Sequence, residues 1–317
     1  MKKKIGYMIY GAVGVLLCGA MVFTSSFGLS RVNQEAYDKF LTESDVLEKL
    51  AFDGFAAKNY KVRFFDGEQD FVMQKDAEMK KDKETLDVIA ATAVEVDDEY
   101  QVLVPVYEKM QGVTQLVDGV SSLQNADAQP KELESFSQEM YVAAICHEAF
   151  HCWQFTKFEE QIENGIGDEG QDREAVITSE IDANDQYVKS IEHEMECLQN
   201  AYNETALNQK YAFIKDALAE EAKRQDSVSD AACRVEKFVE TLEGSAQYVE
   251  AMAYRDMTSE ASFEKHYLAD FKYTDGSGKY YTMGLMKCLI LDQVSENWQS
   301  DFSYENNASK MLEKVVK

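Results

Sequence analysis

The sequence predicts a mainly α fold of the α+β kind: a buried helix in mid-chain packed on further long helices, with a small N-terminal sheet or hairpin. Three observations carry this. Only 2 Pro and 16 Gly interrupt 317 residues, and apolar residues recur every three to four positions over long stretches, the spacing of one helix face. Residues 60–106 instead hold short apolar runs rich in β-branched and aromatic residues, with turn signals between them. Finally, Tyr141 to Phe155, YVAAICHEAFHCWQF, is apolar on nearly every side, which marks a helix buried all round. A hydrophobic content of 45% allows a sizeable core.

Taken in order, the chain divides into residues 1–30, a signal peptide or membrane anchor; 31–130, an N-terminal lobe with a small sheet; and 131–317, a helical lobe that carries the motifs below. Met1 to Lys4 is a positive patch, and Ile5 to Phe23 is a run of 19 uncharged residues. That pattern puts the rest of the chain outside the cytoplasm, either anchored by residues 5–23 or secreted after cleavage. Gln34 to Phe55 has amphipathic helical spacing. Tyr60 to Phe65 and Phe71 to Met73 flank Asp66-Gly67, which reads as a hairpin. Tyr100 to Val106 is a further strand whose Pro105 suits a sheet edge. Ser121 to Pro130 is a polar break, after which a helix from about Glu132 runs into the motif below. Asn164 to Asp172, NGIGDEGQD, is a flexible connection without EF-hand spacing. Helices follow at about Glu174–Asn203, Lys210–Arg224 and Ala231–Asp256. Asp275 to Gly278 is a turn, and Tyr280 to Val294 is a closing apolar helix.

Within the buried helix only His147, Glu148, His151 and Gln154 are strongly polar, at spacings that put them on one side. Unpartnered, such a stripe costs several kcal/mol on burial. His147 and His151, four apart, stand one turn above each other, so both imidazoles can reach one ion. Glu148 is rotated by about 100°, poorly placed to ligate but well placed to act as a base on a water in an open coordination position. The chain has 4 His in all; His193 and His266 are isolated and read as surface or capping residues.

A catalytic zinc needs a third protein ligand. The best candidate is Glu243, in Glu243-Gly244-Ser245-Ala246-Gln247-Tyr248, on the flank of a stripe made by Val235, Leu242, Ala246, Val249 and Ala253. Gly244 and Ala246 leave room for a second helix to approach. The competing reading makes Glu236, Glu240, Glu243 and Glu250 a solvated acidic face. Glu180, nearer in sequence to His151, is the rival ligand.

These motifs resemble the zincin metallopeptidases of the gluzincin type, peptidase-like domains that pair HExxH with a later EGxAxY helix. The resemblance covers His147 to Gln154, Glu243 to Tyr248 and, more loosely, Tyr280 to Trp298, with a long helical insertion between the first two; residues 31–130 take no part in it. It implies an α+β zincin-like fold and Zn²⁺ held by His147, His151 and Glu243. Glu148 would be the general base of peptide hydrolysis; Tyr248, Tyr280 and Tyr281 are candidate oxyanion donors, none of which the resemblance singles out. The alternative from a different class is a non-catalytic extracytoplasmic zinc-binding or sensor protein.

A net charge of −26 repels phosphates and argues against nucleic acid as partner. The resemblance implies a peptide or protein substrate, and membrane contact is expected only through the N-terminal segment. Six cysteines, one of them in the leader, give no disulfide framework, and Cys146 and Cys152 read as small buried apolar residues.

Overall fold

A computed structural model describes residues 28–114, 136–166 and 173–317. The expected leader, the polar break at 121–130, the helix start at Glu132 and most of the 164–172 connection lie outside the described residues. Among the described residues, no helix is long and apolar enough to cross a membrane.

The protein is mainly helical with a small five-stranded sheet. The first helix, α1 (Arg31–Leu47), stops short of the expected Phe55. A 3-10 turn, Glu48–Leu50, follows, and Ala51 turns the chain with φ 61°. Phe52 and Phe55 are buried as their spacing predicts, but in a loop, where their rings meet Phe150 and Trp153.

The sheet comprises β1 (Val62–Phe65), β2 (Gln69–Met73), β3 (Lys80–Lys83), β4 (Thr92–Val96) and β5 (Glu99–Pro105), in the order β3-β2-β1-β5-β4. The β1–β2 hairpin turns at Asp66-Gly67 as expected. Gly67 takes φ 110°, and Asp66 Oδ1 accepts from the amides of Glu68 and Gln69. Alternation sends Val62, Phe64, Val102 and Val104 into the main core, while Phe65 and Leu103 meet Val88 on the other face. The expected edge position of Pro105 is wrong: β5 is interior, parallel to β1 and antiparallel to β4. Proline is tolerated because Thr92, where β4 begins, pairs with Leu103, so Pro105 overhangs its neighbour and owes it no N–H. β3 and β4 escape a pattern-based reading: KKDK is exposed throughout, and TAVEV is short and half polar.

Helix α2 (Gln138–Ile166) carries the motif and packs on β4 and β5 and on α1. The stretch expected as one helix over Glu174–Asn203 is broken. A short α turn, Arg173–Val176, passes into a π-helical turn, Ile177–Asp182, and then α3 (Asp185–Asn203) starts afresh, with Asn184 accepting from the amides of Gln186 and Tyr187. The bundle continues with α4 (Leu207–Gln225), α5 (Asp230–Met257) and α6 (Gly278–Val294), all near their expected bounds, and ends with α7 (Ala308–Val315), which the sequence reading omits. One apolar core runs from Leu29 to Val316 and takes in residues from both expected lobes.

The helix pair that matters for the site is α5 and α6. They cross at Gly244 and Gly284, where a Cβ on Gly244 would lie 2.5 Å from the Gly284 Cα, and one on Gly284 2.6 Å from both the Gly244 Cα and the Glu240 carbonyl oxygen. Only two glycines allow this approach.

Candidate metal centre

His147 and His151 face α5 from α2, and the acid they meet is Glu243. The His151 Nε2 lies 3.0 Å from the His147 Nε2 and 3.1 Å from Glu243 Oε2, and His147 Nε2 lies 3.4 Å from the same oxygen. Exposure is 0% for His151, 2% for Glu243 and 7% for His147. The group His147, His151, Glu243 could therefore hold a metal ion. The rival Glu180 is elsewhere, at the start of α5, where its carboxylate accepts from the Ser229 hydroxyl.

The other faces of the two rings show which nitrogens carry protons. His147 Nδ1 is 2.8 Å from Glu250 Oε2, an acceptor only, so the neutral ring carries its proton on Nδ1 and leaves Nε2 bare. His151 Nδ1 is 2.7 Å from Gln154 Oε1. The Gln154 amide cannot be turned round, because its Nε2 donates to the Ser245 hydroxyl (2.9 Å) and the Leu242 carbonyl (3.2 Å), and Ser245 spends its own proton on the Thr241 carbonyl. His151 is thereby fixed with Nδ1 protonated and Nε2 bare. Two lone pairs and a carboxylate oxygen thus converge within 3.4 Å, an arrangement that repels itself unless a cation or a proton lies between them. The spacing fits a four-coordinate ion, for which ligands at about 2.0–2.1 Å stand about 3.3–3.4 Å apart.

Without an ion, a proton takes this role. Burial works against charging His147, but its hydrogen bonds to Glu243 and Glu250 outweigh that and hold it well above its ordinary value. Burial likewise opposes ionising Glu243, yet the charge of His151 and the hydrogen bonds from both imidazoles keep it far below the usual carboxylate range.

Glu148 lies beside this group and not in it. Burial raises its carboxyl above the ordinary value, with the two histidines pulling the other way. One of its oxygens, Oε2, is buried without a hydrogen-bond partner, and the carboxyl accepts from the backbone N–H of Ala93 in the edge strand β4. Tyr281 of α6 stacks on His147, with ring centroids 6.3 Å apart, and its hydroxyl hydrogen-bonds Glu243. The other two tyrosines are engaged elsewhere: Tyr248 donates to Asp292 at 3.0 Å, and Tyr280 is buried under the Lys279 ammonium. Cys146 and Cys152 are buried free thiols pushed well up by burial, inert apolar neighbours as expected.

Sequence reasoning missed Glu250, Tyr267 and the role of Gln154. Glu250 follows Glu243 by seven residues, two turns along the same face, so the spacing was there to read. Tyr267, in a π-helical turn at Glu264–Leu268, donates to Glu250 Oε1 at 2.9 Å. The solvated acidic face is not what forms: Glu236, Glu240 and Glu243 are buried, and Glu250 is largely so. Comparison of the chain with protein-family models, curated proteins and solved structures returns no match.

Proposed function

We propose that this chain is a zinc-dependent metallopeptidase with a zincin-like arrangement, hydrolysing peptide bonds outside the cytoplasm. The observation that carries the reading is the convergence of three electron pairs from His147, His151 and Glu243 beside the orphaned Glu148 oxygen. Two imidazoles and one carboxylate at tetrahedral spacing suit zinc among the divalent ions. When bound, zinc supplies Lewis acidity and lowers the pKa of water at its open position.

The remaining chemistry belongs to the chain. Glu148, its carboxyl raised above the ordinary value by burial, accepts the proton of the attacking water and returns it to the leaving amine. Tyr281 is the tyrosine near enough to the ligands to donate to the developing oxyanion. Glu250 and Gln154 keep the imidazole protons on Nδ1. A peptide is favoured as substrate because β4, the edge strand, stands beside Glu148, and an extended chain can pair with such an edge through its backbone. The extracytoplasmic setting rests on the sequence of residues 1–23.

The burial of the ligands also favours a second reading, a non-catalytic zinc-binding protein that sequesters its ion. One experiment separates the two: Glu148→Gln should retain stoichiometric zinc by elemental analysis while cleavage of a peptide library falls at least 10²-fold. Undiminished cleavage by the variant refutes the proposed base. Stoichiometric zinc with no cleavage by the wild type selects the second reading.

A further inference from the structure

Below the α5–α6 crossing lies a second polar cluster that the metal centre does not use. Lys287 of α6, fully buried, places Nζ 2.9 Å from Glu194 of α3, 3.0 Å from Glu221 of α4 and 2.7 Å from Glu240 of α5, and donates to Ser309 Oγ of α7 at 2.9 Å. Arg224 of α4, 1% exposed, places Nη2 2.6 Å from Glu194 and 2.5 Å from Glu236 of α5. Four carboxylates therefore face two cations, and if all were ionised the cluster would carry two uncompensated negative charges in a largely buried site, where only the Glu221 and Glu240 side chains, 18% and 10% exposed, reach solvent, a disfavoured state.

The surrounding groups do not repair this imbalance. Lys279 of α6 is spent on Asp182 at 2.7 Å, and the buried Tyr280 hydroxyl and Cys288 thiol are neutral, both pushed up by burial. Across the adjoining cavity, Lys237 pairs with Glu305 and Lys310 with Glu313, and Arg234 has contacts of its own. Protons are the remaining counter-charge. Burial, reinforced by Glu240, pushes Glu236 up to about 8; burial pushes Glu240 up to about 7 against the pull of Lys287.

The placement couples this charge to the crossing. Glu240 sits one turn before Gly244, its carbonyl against Gly284, and Lys287 sits one turn beyond Gly284. We infer that the cluster is a proton-held clamp: Glu236 and Glu240 stay protonated while α5 and α6 are locked, and releasing those protons to alkaline solvent loosens the crossing that presents Glu243. The inference goes beyond the peptidase reading, and its test needs neither bound metal nor turnover, so either can fail alone.

The test uses the metal-free full chain, its Glu236→Gln and, as a second variant, Glu240→Gln. Gln keeps the neutral form at every pH. From about pH 5 up to the raised values, about 7 for Glu240 and about 8 for Glu236, each variant should gain stability to urea relative to wild type by on the order of tenfold in the folding constant per pH unit, because there the folded wild type keeps a proton that the unfolded chain has lost, and the gain should level off above them. The ratio of variant to wild type cancels the histidines, which titrate in both. Between about pH 6 and about pH 9, amide-exchange protection at Gly244 and Gly284 should fall at least about tenfold in wild type and hold in the variants. An infrared carboxylic-acid band at about pH 6 should weaken in each variant; the variants assign it, since Glu43 and Glu148 are raised as well. A variant-to-wild-type stability ratio that does not change with pH, or equal loss of protection in all three proteins, overturns the clamp.

Discussion

Gly284→Ala tests how far the site depends on one backbone contact. The added methyl would stand 2.6 Å from the Glu240 carbonyl oxygen and 2.6 Å from the Gly244 Cα, where ordinary contact begins at 3.4 Å, so the helices must part by about 0.8 Å. Neither obstacle is a side chain that can rotate away. Overpacking of this kind costs about 1–3 kcal/mol. Against it stands the better helix propensity of alanine, worth about 1 kcal/mol, so the expected net loss is about 0–2 kcal/mol. Glu243 is the residue before Gly244, and metal sites tolerate displacements of only about 0.2 Å; zinc affinity should fall at least about tenfold. Gly278→Ala is the control: at the start of α6, its methyl would meet Thr274 Oγ1 at 3.5 Å, an ordinary contact, and should cost nothing. Urea unfolding of the chelator-treated protein and competition for zinc with a chromophoric chelator give the two numbers. If Gly284→Ala matches or exceeds wild type in both, propensity has won and the crossing is not what places Glu243.

Glu250→Gln should weaken zinc about 10–100-fold by isothermal titration, because it withdraws the carboxylate that holds the His147 proton on Nδ1, and Tyr267→Phe should have a smaller effect in the same direction. An unchanged affinity in Glu250→Gln removes it from the centre. The metal-free protein should also show a stability optimum whose flanks follow from the site. The raised His147 contributes stability that is fully present below 6.5 and is lost as pH rises through its higher folded value. The depressed Glu243 contributes stability that is present above 4.5 and is lost as pH falls. Zinc requires a bare Nε2 on His147, so binding below that folded value should release about one proton and tighten about tenfold per pH unit. Calorimetry in buffers of different ionisation enthalpy reads the proton directly; identical heats contradict the assignment.

Much of this was legible because periodicity reports burial. The all-round apolar surface of Tyr141 to Phe155 placed α2 in the core, and the bounds of α4, α5 and α6 follow the apolar spacing closely. Where the reading failed, burial and helicity came apart. Phe52 and Phe55 kept helical spacing in a loop, and the Glu174–Asn203 pattern continued across a break that Asn184 caps. β3 gave no apolar signal, since an exposed edge strand buries nothing. At the site, local spacing gave the two histidines and Glu148, while the small residues beside Glu243, and then the resemblance, preferred it to Glu180, a choice that depends on which helix crosses α2. The acidic residues of α5 were weighed as solvated because glutamates usually are. Their partners, Lys287, Arg224 and the imidazoles, come from other helices and leave no mark at helical spacing.

The polar stripe on α2 shows where function can reside in such a helix. Gln154 is satisfied by three partners, and the outer nitrogen of each imidazole by one. The two Nδ1 contacts fix the proton of each neutral ring on the nitrogen remote from Glu243, and so leave the Nε2 that faces Glu243 without one. The fold thus satisfies every polar atom of the stripe except those that face Glu243 and the free oxygen of Glu148. A structural histidine pair would gain from the opposite arrangement, with one Nε2–H donated to the carboxylate and the other ring turned to accept. The hydrogen bonds of Gln154, Ser245 and Glu250 work against that arrangement for the neutral pair, at the cost of three converging acceptors. Such a cost persists where a cation relieves it, which is why the outward hydrogen bonds of the two rings argue for a metal as strongly as the inward distances do.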